Sequence, residues 1–229
     1  MIEKFNEYIS QFNAEDNGIN RKIEHSKRVS KLMVTLAKRL NWNEEDILIA
    51  QQLGLLHDIG RFEEWKIKSS FVTLDFDHGE YGVGVLKNNN IYQEFGIKEE
   101  HKEIIFNAIC YHNKIFVNSD EEIVHKSQVI IPEDANDKYL KLLRDADKLD
   151  NFYMFSSNTT VGNNFEGLEV TKEVLDAFNR EKAISIFYVK TALDYKLLVL
   201  AWIFDINYDV SLLMIKEATM LTKRNKEDL

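Results

Sequence analysis

Apolar residues recur three and four positions apart along most of this chain, and several histidines share these apolar faces. His57 lies four residues after Leu53, His112 lies three residues after Ile109, and His25 starts an apolar stripe of its own. Residues at these spacings lie on one face of a helix. The pattern therefore predicts an all-α fold in which imidazoles point into the interior.

Helices are predicted over most of the sequence, each ending near a local signal. Asn43 precedes three acidic residues and is a predicted N-cap, Asp77 is predicted to cap the helix that starts at His78, and Gly60 is predicted to end the helix that carries His57. No alternating run is long enough for a central sheet, and the best candidate, at 129–132, is too short to build one. The predicted helices lie at about 2–12, 19–40, 44–58, 77–88, 98–112, 135–157, 171–183, 186–205 and 209–225.

Composition favours one body without a linker. The 229 residues include one proline, nine glycines and no repeat or low-complexity tract. A single cysteine, Cys110, excludes an internal disulfide and suits a reducing compartment, so we expect a cytoplasmic protein. The N-terminus lacks the apolar run of a signal peptide, and the longest apolar stretch, 197–204, is too short to span a membrane. The net charge of −9 argues against binding a nucleic-acid polymer.

Asp147 adds a carboxylate to the inward-facing histidines, since it lies four residues after Leu143. An unpaired buried carboxylate would cost several kcal/mol, and a divalent metal would compensate it. One inward histidine is usually a hydrogen-bonded core residue. Six inward ligand-type residues together favour a metal site, whereas His101 and His125 are predicted to lie at the surface. The six are His25, His57, Asp58, His78, His112 and Asp147. Asp145 is the rival to Asp147 as a ligand.

These residues resemble those of a known family. His25, then His57-Asp58 in LLHDIGRF, then Asp147 in DADKLD resemble the HD superfamily of metal-dependent phosphohydrolases. The resemblance covers roughly residues 20–155, and it implies a single HD-type helical domain, 1–229, with a catalytic core at about 20–155 and a helical extension at about 170–227.

Two further segments resemble the binuclear branch of that superfamily. DHGEYGVGVL around His78 and AICYHN around His112 are similar to the segments that supply a second metal. This branch includes the HD-GYP cyclic-dinucleotide phosphodiesterases and the diadenosine tetraphosphate hydrolases. The chain departs from the former because Asn113-Lys114-Ile115 follows His112 in place of Gly-Tyr-Pro, which argues against a cyclic dinucleotide as substrate.

The resemblance implies a hydrolase of a phosphoester or phosphoanhydride in a nucleotide-like small molecule. Two divalent ions (Mn, Fe, Co, Ni or Mg) would activate a water molecule. Asp58 is predicted to bridge them, because a carboxylate has two ligand oxygens. The expected ligands are His25, His57, Asp58 and Asp147 for the first metal and Asp58, His78 and His112 for the second. The expected phosphate contacts are Arg61 above all, then Lys114 and Lys148. The predicted catalytic residues are Asp58, Arg61 and Lys148.

The sequence is compatible with several alternatives. The same ligands could hold redox iron in an oxygenase related to inositol oxygenase, or the chain could be a regulatory module that binds nucleotide without turnover. Glu63 and Glu64 are either a general acid or exposed loop residues. Aromatic residues in 186–220 could line a base-stacking pocket, but a core or a homodimer face is favoured, and 156–170 is a polar loop that could cover the site.

Overall fold

Helices form almost all of the regular structure in the computed structural model, which describes residues 1–71, 75–117, 119, 128–130, 132, 137–156 and 165–217. The prediction of an all-α fold is confirmed. The chain divides into two compact units, Met1–Ala146 and Asp147–Leu229. The predicted division into a core at about 20–155 and an extension at about 170–227 stays a prediction.

The first unit contains a series of helices followed by one short pair of strands. Strand β1 (Ile115–Val117) pairs in parallel with strand β2 (Gln128–Ile130), Ile115 lying opposite Gln128. Helix α8 (Lys138–Ser156) starts in the first unit and continues into the second. The preceding helices are α1 (Ile2–Ile9), α2 (Asn17–Arg39), α3 (Glu44–Leu56), α4 (Ile59–Lys68), α5 (His78–Lys87), the single turn α6 (Ile91–Glu94) and α7 (Lys102–Tyr111).

Side-chain caps fix the starts of several helices. The carboxylate of Asp16 accepts from the backbone N–H of Gly18 at 2.8 Å and starts α2. The predicted caps Asn43 and Asp77 are confirmed, since Asn43 accepts from the N–H of Asp46 and Asp77 accepts from the N–H groups at the start of α5. Each cap satisfies backbone donors that have no partner inside the helix.

The prediction that Gly60 ends a helix is wrong, because α4 begins at Ile59. Helix α3 ends at Leu56, and Gly60 lies in the first turn of α4. A Cβ at position 60 would meet the carbonyl oxygen of His78 and would lie 2.7 Å from the backbone nitrogen of Gly82. Glycine is therefore required here for the close approach of α4 to α5, and the chain turns at His57-Asp58 between two helices.

An aromatic and aliphatic core holds the first unit together. Five aromatic rings pack together in this core, with centroids of neighbouring rings 5.5–6.4 Å apart: those of Phe5, Tyr8, Phe12, Phe62 and Phe95. Apolar residues on the inner faces of α2 and α3 are completely buried, among them Val29, Met33, Leu36, Leu53 and Leu56. His25 projects from α2 and His57 directly follows α3, whereas His78 begins α5 and His112 directly follows α7.

The second unit has its own small core, formed with helices α9 (Lys172–Asn179) and α10 (Ala192–Ala201). The continuous helix predicted at 186–205 is wrong: Thr191 and Asp194 form a capping box that starts α10 after a separate single turn at Ile186–Tyr188. Residues 209–217 are helical. No helix among the residues described above is long and apolar enough to cross a membrane.

Candidate metal centre

Asp58 lies at the centre of a cluster of buried imidazoles in the first unit. It follows α3 and precedes α4, and its φ of −101° and ψ of 19° lie outside the helical region. This break turns its carboxylate to the same region as the preceding His57, whose Nε2 lies 3.4 Å from Asp58 Oδ2. Asp58 is only 2% exposed, and four histidines surround it: His25, His57, His78 and His112.

The two oxygens of Asp58 divide these histidines into pairs. The Nε2 atoms of His25 and His57 each lie 3.4 Å from Oδ2. The Nε2 atoms of His78 and His112 lie 3.5 and 3.7 Å from Oδ1. Within each pair the two Nε2 atoms are 3.3 Å apart. The site therefore consists of two groups of ligand-type atoms that share one carboxylate.

Backbone carbonyls fix the tautomer of one histidine in each pair. His57 Nδ1 lies 2.9 Å from the carbonyl oxygen of Gly54, and His112 Nδ1 lies 2.6 Å from that of Ile109. A carbonyl oxygen only accepts, so each Nδ1 carries the proton and donates. In the neutral ring Nε2 then has a free lone pair directed toward Asp58.

Burial and neighbouring charges set the protonation states of the cluster. Burial, together with the positive charge of Arg61, lowers the pKa of His78 well below its usual value and keeps this imidazole neutral. Burial alone would raise the pKa of Asp58, but neighbouring groups, the ammonium of Lys22 first among them, outweigh burial and hold this pKa well below its usual range. First-row divalent metals bind imidazole nitrogens and carboxylate oxygens together, so the residue types of this cluster fit such ions.

Asn113 and Asp77 support His78 from behind. Asn113 Nδ2 lies 3.1 Å from Asp77 Oδ1 and 3.4 Å from His78 Nδ1, and Asn113 Oδ1 is buried without a hydrogen-bond partner in the described residues. The ammonium of Lys114, predicted to hold phosphate, is buried and donates to Asp77 and Glu80. These contacts argue against phosphate binding by Lys114 and tie the turn after α7 to the start of α5.

Arg144 on α8 holds the turn that carries His112. Its Nη1 donates to the carbonyl oxygens of Tyr111, His112 and Lys114 at 3.2, 3.1 and 2.7 Å. Its guanidinium also lies 4.4 Å from the centroid of the Phe116 ring. Sequence reasoning missed this residue. Its position four residues after the buried Leu140 was the available signal.

Cationic side chains surround Asp58 outside the histidines. Lys22 Nζ donates to Asp58 Oδ2 at 2.5 Å, a contact that sequence reasoning missed although Lys22 lies three residues before His25. Arg61 Nε lies 3.7 Å from Asp58 Oδ1, and Arg61 Nη1 donates to Glu64 at 2.5 Å. Glu64 is fully buried, so the view of Glu64 as an exposed loop residue is wrong.

The other predicted residues of α8 lie around the boundary of the units. Asp145 is buried in the first unit. Asp147, the first residue of the second unit, is half-buried and accepts from Asn151 Nδ2 at 3.1 Å. Lys148 pairs with Asp205 at 2.9 Å, which argues against a role in phosphate binding.

Three remaining expectations fall outside this cluster. His101 is half-buried and lies 3.4 Å from Glu45 in a mainly exposed group, so the prediction that it lies at the surface holds only in part. His125 and most of the proposed covering loop at 156–170 lie outside the described residues.

The comparisons with known proteins give one match. A family model described as HD domain matches residues 23–151, more than half of the chain, and this range includes all four histidines and Asp58. No curated protein and no solved structure matches the chain.

Proposed function

Because the chain belongs to the HD domain family, we propose that it is a metal-dependent phosphohydrolase that cleaves a phosphoester or phosphoanhydride of a nucleotide-like small molecule. The family consists mostly of metal-dependent phosphohydrolases, and it binds divalent metals. One observation carries the proposal: two pairs of imidazole nitrogens face the two oxygens of one buried carboxylate. This arrangement favours a binuclear site over a single ion.

The proposed first metal is held by His25, His57, Asp58 and Asp147, and the second by Asp58, His78 and His112. Asp147 is included because of its place on α8. It follows Arg144 by three residues, and residues at this spacing share a helix face. Since Arg144 donates to the carbonyl of His112, this face of α8 is the one directed to the turn that carries His112. Asp145, two residues earlier, is turned away from that face by about 160°.

Bound divalent ions would supply positive charge to the phosphate oxygens and would lower the pKa of a water molecule toward neutrality. The chain would supply orientation and additional charge. Arg61 is the proposed phosphate contact, because its guanidinium lies beside Asp58 and is held by Glu64 and by the carbonyl oxygen of Phe71. Its Nε is buried without a hydrogen-bond partner in the described residues, so one donor remains for a substrate oxygen.

The test is a phosphate-release screen of the full chain loaded with Mn, Fe, Co, Ni or Mg. Nucleotides and dinucleotides are the substrates, and hydrolysis in heavy-oxygen water should place the label on the released phosphate, because attack occurs at phosphorus. Asp58→Asn should abolish release. Asp176→Asn, the same change at an exposed position on α9, should leave it unchanged.

Three outcomes would contradict the proposal. Label found only in the alcohol product would show attack at carbon. Oxygen consumption by the iron-loaded protein without phosphate release would favour the oxygenase. Tight nucleotide binding without release in any of these metals would favour the regulatory module.

A further inference from the structure

Three cationic side chains surround the ring of Phe71 in the first unit. The guanidinium carbons of Arg21 and Arg61 lie 5.7 and 5.8 Å from its centroid, and Lys22 Nζ lies 5.5 Å from it. Arg21 and Lys22 belong to α2, and Arg61 belongs to α4. We call these four residues the Phe71 cluster. Each cation is within the range of a cation–π contact, so one ring gathers charges from two helices.

The Phe71 cluster has more positive than negative charge. Lys22 is paired with Asp58 and Arg61 with Glu64, each at 2.5 Å. Arg21 is exposed and forms no ion pair within the described ranges. Two carboxylates therefore offset two of the three cations, and the charge of Arg21 is left over for a further anion. The buried Nε of Arg61 has no hydrogen-bond partner in the part of the chain that the structure describes, which is a second sign that an acceptor is missing here.

A packed support holds the cluster in place. The ring of Trp65 lies against that of Phe71 with centroids 4.6 Å apart. Trp65 in turn covers Gly18 at the start of α2 so closely that any Cβ at position 18 would overlap the indole ring. This contact joins the start of α2, which carries Arg21 and Lys22, to α4, which carries Arg61. The cations are thus presented by helices that are fixed to each other, which lowers the cost of ordering them around a ligand.

We propose that the Phe71 cluster binds a second phosphate group, so that the substrate carries two or more adjacent phosphates and not a lone phosphomonoester. This inference rests on the proposed function. Lys22 and Arg61 both contact Asp58, so the cluster continues directly from the metal centre. A phosphate at the metals would leave its neighbour among Arg21, Lys22 and Arg61, where planar guanidinium groups match phosphate oxygens.

The experiment compares two non-hydrolysable probes, methylenediphosphonate and methylphosphonate, by calorimetry with the Mn-loaded full chain. Arg21→Gln should weaken binding of the diphosphonate by about tenfold, the lower range for a charge-assisted contact. Binding of methylphosphonate should change much less. The matched control is Lys31→Gln, an exposed position on α2 that lies about 15 Å along the helix axis and undergoes the same change in charge.

A second variant tests the ring itself. Phe71→Leu should weaken the diphosphonate by about two- to fivefold through loss of the cation–π contacts, again with little effect on methylphosphonate. Any of three results would overturn the subsite. Arg21→Gln could weaken the binding of both probes equally, it could have no larger effect than Lys31→Gln, or the wild-type protein could bind the two probes equally.

Metal content and phosphate release are measured on the same samples, so the two ideas fail separately. Protein that binds metals and releases phosphate but shows no selective loss in Arg21→Gln would retain the proposed function without the subsite. Selective loss of diphosphonate binding in protein that hydrolyses nothing would support the subsite and contradict the proposed function.

Discussion

Replacement of Asp58 should remove both metals at once, because each of its oxygens faces a different pair of histidines. Oδ2 lies 3.4 Å from the Nε2 atoms of His25 and His57, and Oδ1 lies 3.5 and 3.7 Å from those of His78 and His112. Loss of a residue that only supports a ligand costs about 10- to 100-fold in metal affinity. Loss of a direct anionic ligand should therefore cost each metal at least about 100-fold, or about 2.7 kcal/mol.

Charge adds to this loss. Lys22 Nζ donates to Asp58 at 2.5 Å and Arg61 Nε lies 3.7 Å from it, so removal of the carboxylate leaves two cations beside the metal positions. Two variants test this, Asp58→Ala and Asp58→Asn. Asp58→Asn keeps the shape of the side chain and removes only its charge, so it still tests the bridging role if Asp58→Ala fails to fold. Both variants should fail to retain metal that wild-type protein retains at close to two ions per chain.

The measurement is elemental analysis after dialysis against Mn, followed by calorimetric titration. His25→Gln should lose the first metal and keep the second, whereas His112→Gln should do the opposite. Asp176→Ala, an exposed aspartate on α9, is the control for the change in charge and should keep both metals. Full occupancy in Asp58→Ala, or loss of only one metal, would refute the bridging role.

Three further predictions concern residues around the site and in the second unit. Arg61→Ala should lower kcat/KM by about 10- to 100-fold without loss of metal, and unchanged turnover would contradict phosphate binding. Asn113→Asp should raise the affinity for the second metal and Asn113→Leu should lower it, each by about tenfold in calorimetry. The reason is that a carboxylate behind His78 makes this histidine a stronger ligand. Affinities that shift in the same direction in both variants would exclude this effect. Asp194→Ala should lower the free energy of unfolding by about 3 kcal/mol, since the buried carboxylate accepts from the backbone and hydroxyl of Thr171. Burial would raise the pKa of Asp194, but the hydrogen bonds outweigh burial and lower this pKa. The stabilisation should therefore be present above about pH 4 and be lost as the pH falls through the lowered pKa. Urea unfolding that shows no difference between variant and wild type at pH 7 would contradict this prediction.

Helical spacing was enough to predict that His57 and His112 lie inside. His57 and His112 each follow buried residues by three or four positions, and the period of the helix leaves few other places for their side chains. Helix geometry also indicates that His57 and Asp58, one position apart, converge on one region more easily near a helix terminus than in mid-helix. The chain does break there, since α3 ends at Leu56 and α4 starts at Ile59.

Tertiary contacts explain where sequence reasoning failed. Glycine is common at helix ends, but Gly60 lies inside α4, where the absence of a Cβ lets this helix approach the backbone of His78 and Gly82 closely. Neither partner is near it in sequence. Similarly, Thr191 starts a new helix through its capping hydrogen bonds with Asp194, although the apolar periodicity around it predicts one continuous helix.

Supporting residues were harder to predict than the histidines. Lys22 reaches Asp58 across 36 positions, and Arg144 reaches the carbonyl of His112 across 32. Lysine and arginine are usually solvated, and nothing in helical spacing distinguishes the ones that are not. Their roles follow only when the helices that carry them are packed together.

The charge balance around Asp58 links metal binding to substrate binding. Two divalent ions would sit beside Lys22 and Arg61, and in the first unit Asp58 is the carboxylate that faces both positions. An anionic ligand would relieve this excess of positive charge, so a net charge of −9 over the whole chain is compatible with the proposed binding of phosphate. Coupling between ligands is reciprocal, so methylphosphonate should raise the affinity for Mn by about 5- to 150-fold, as Mn raises the affinity for methylphosphonate. Calorimetric titrations in both orders that give independent affinities would show that the cations of Lys22 and Arg61 do not act on the metals.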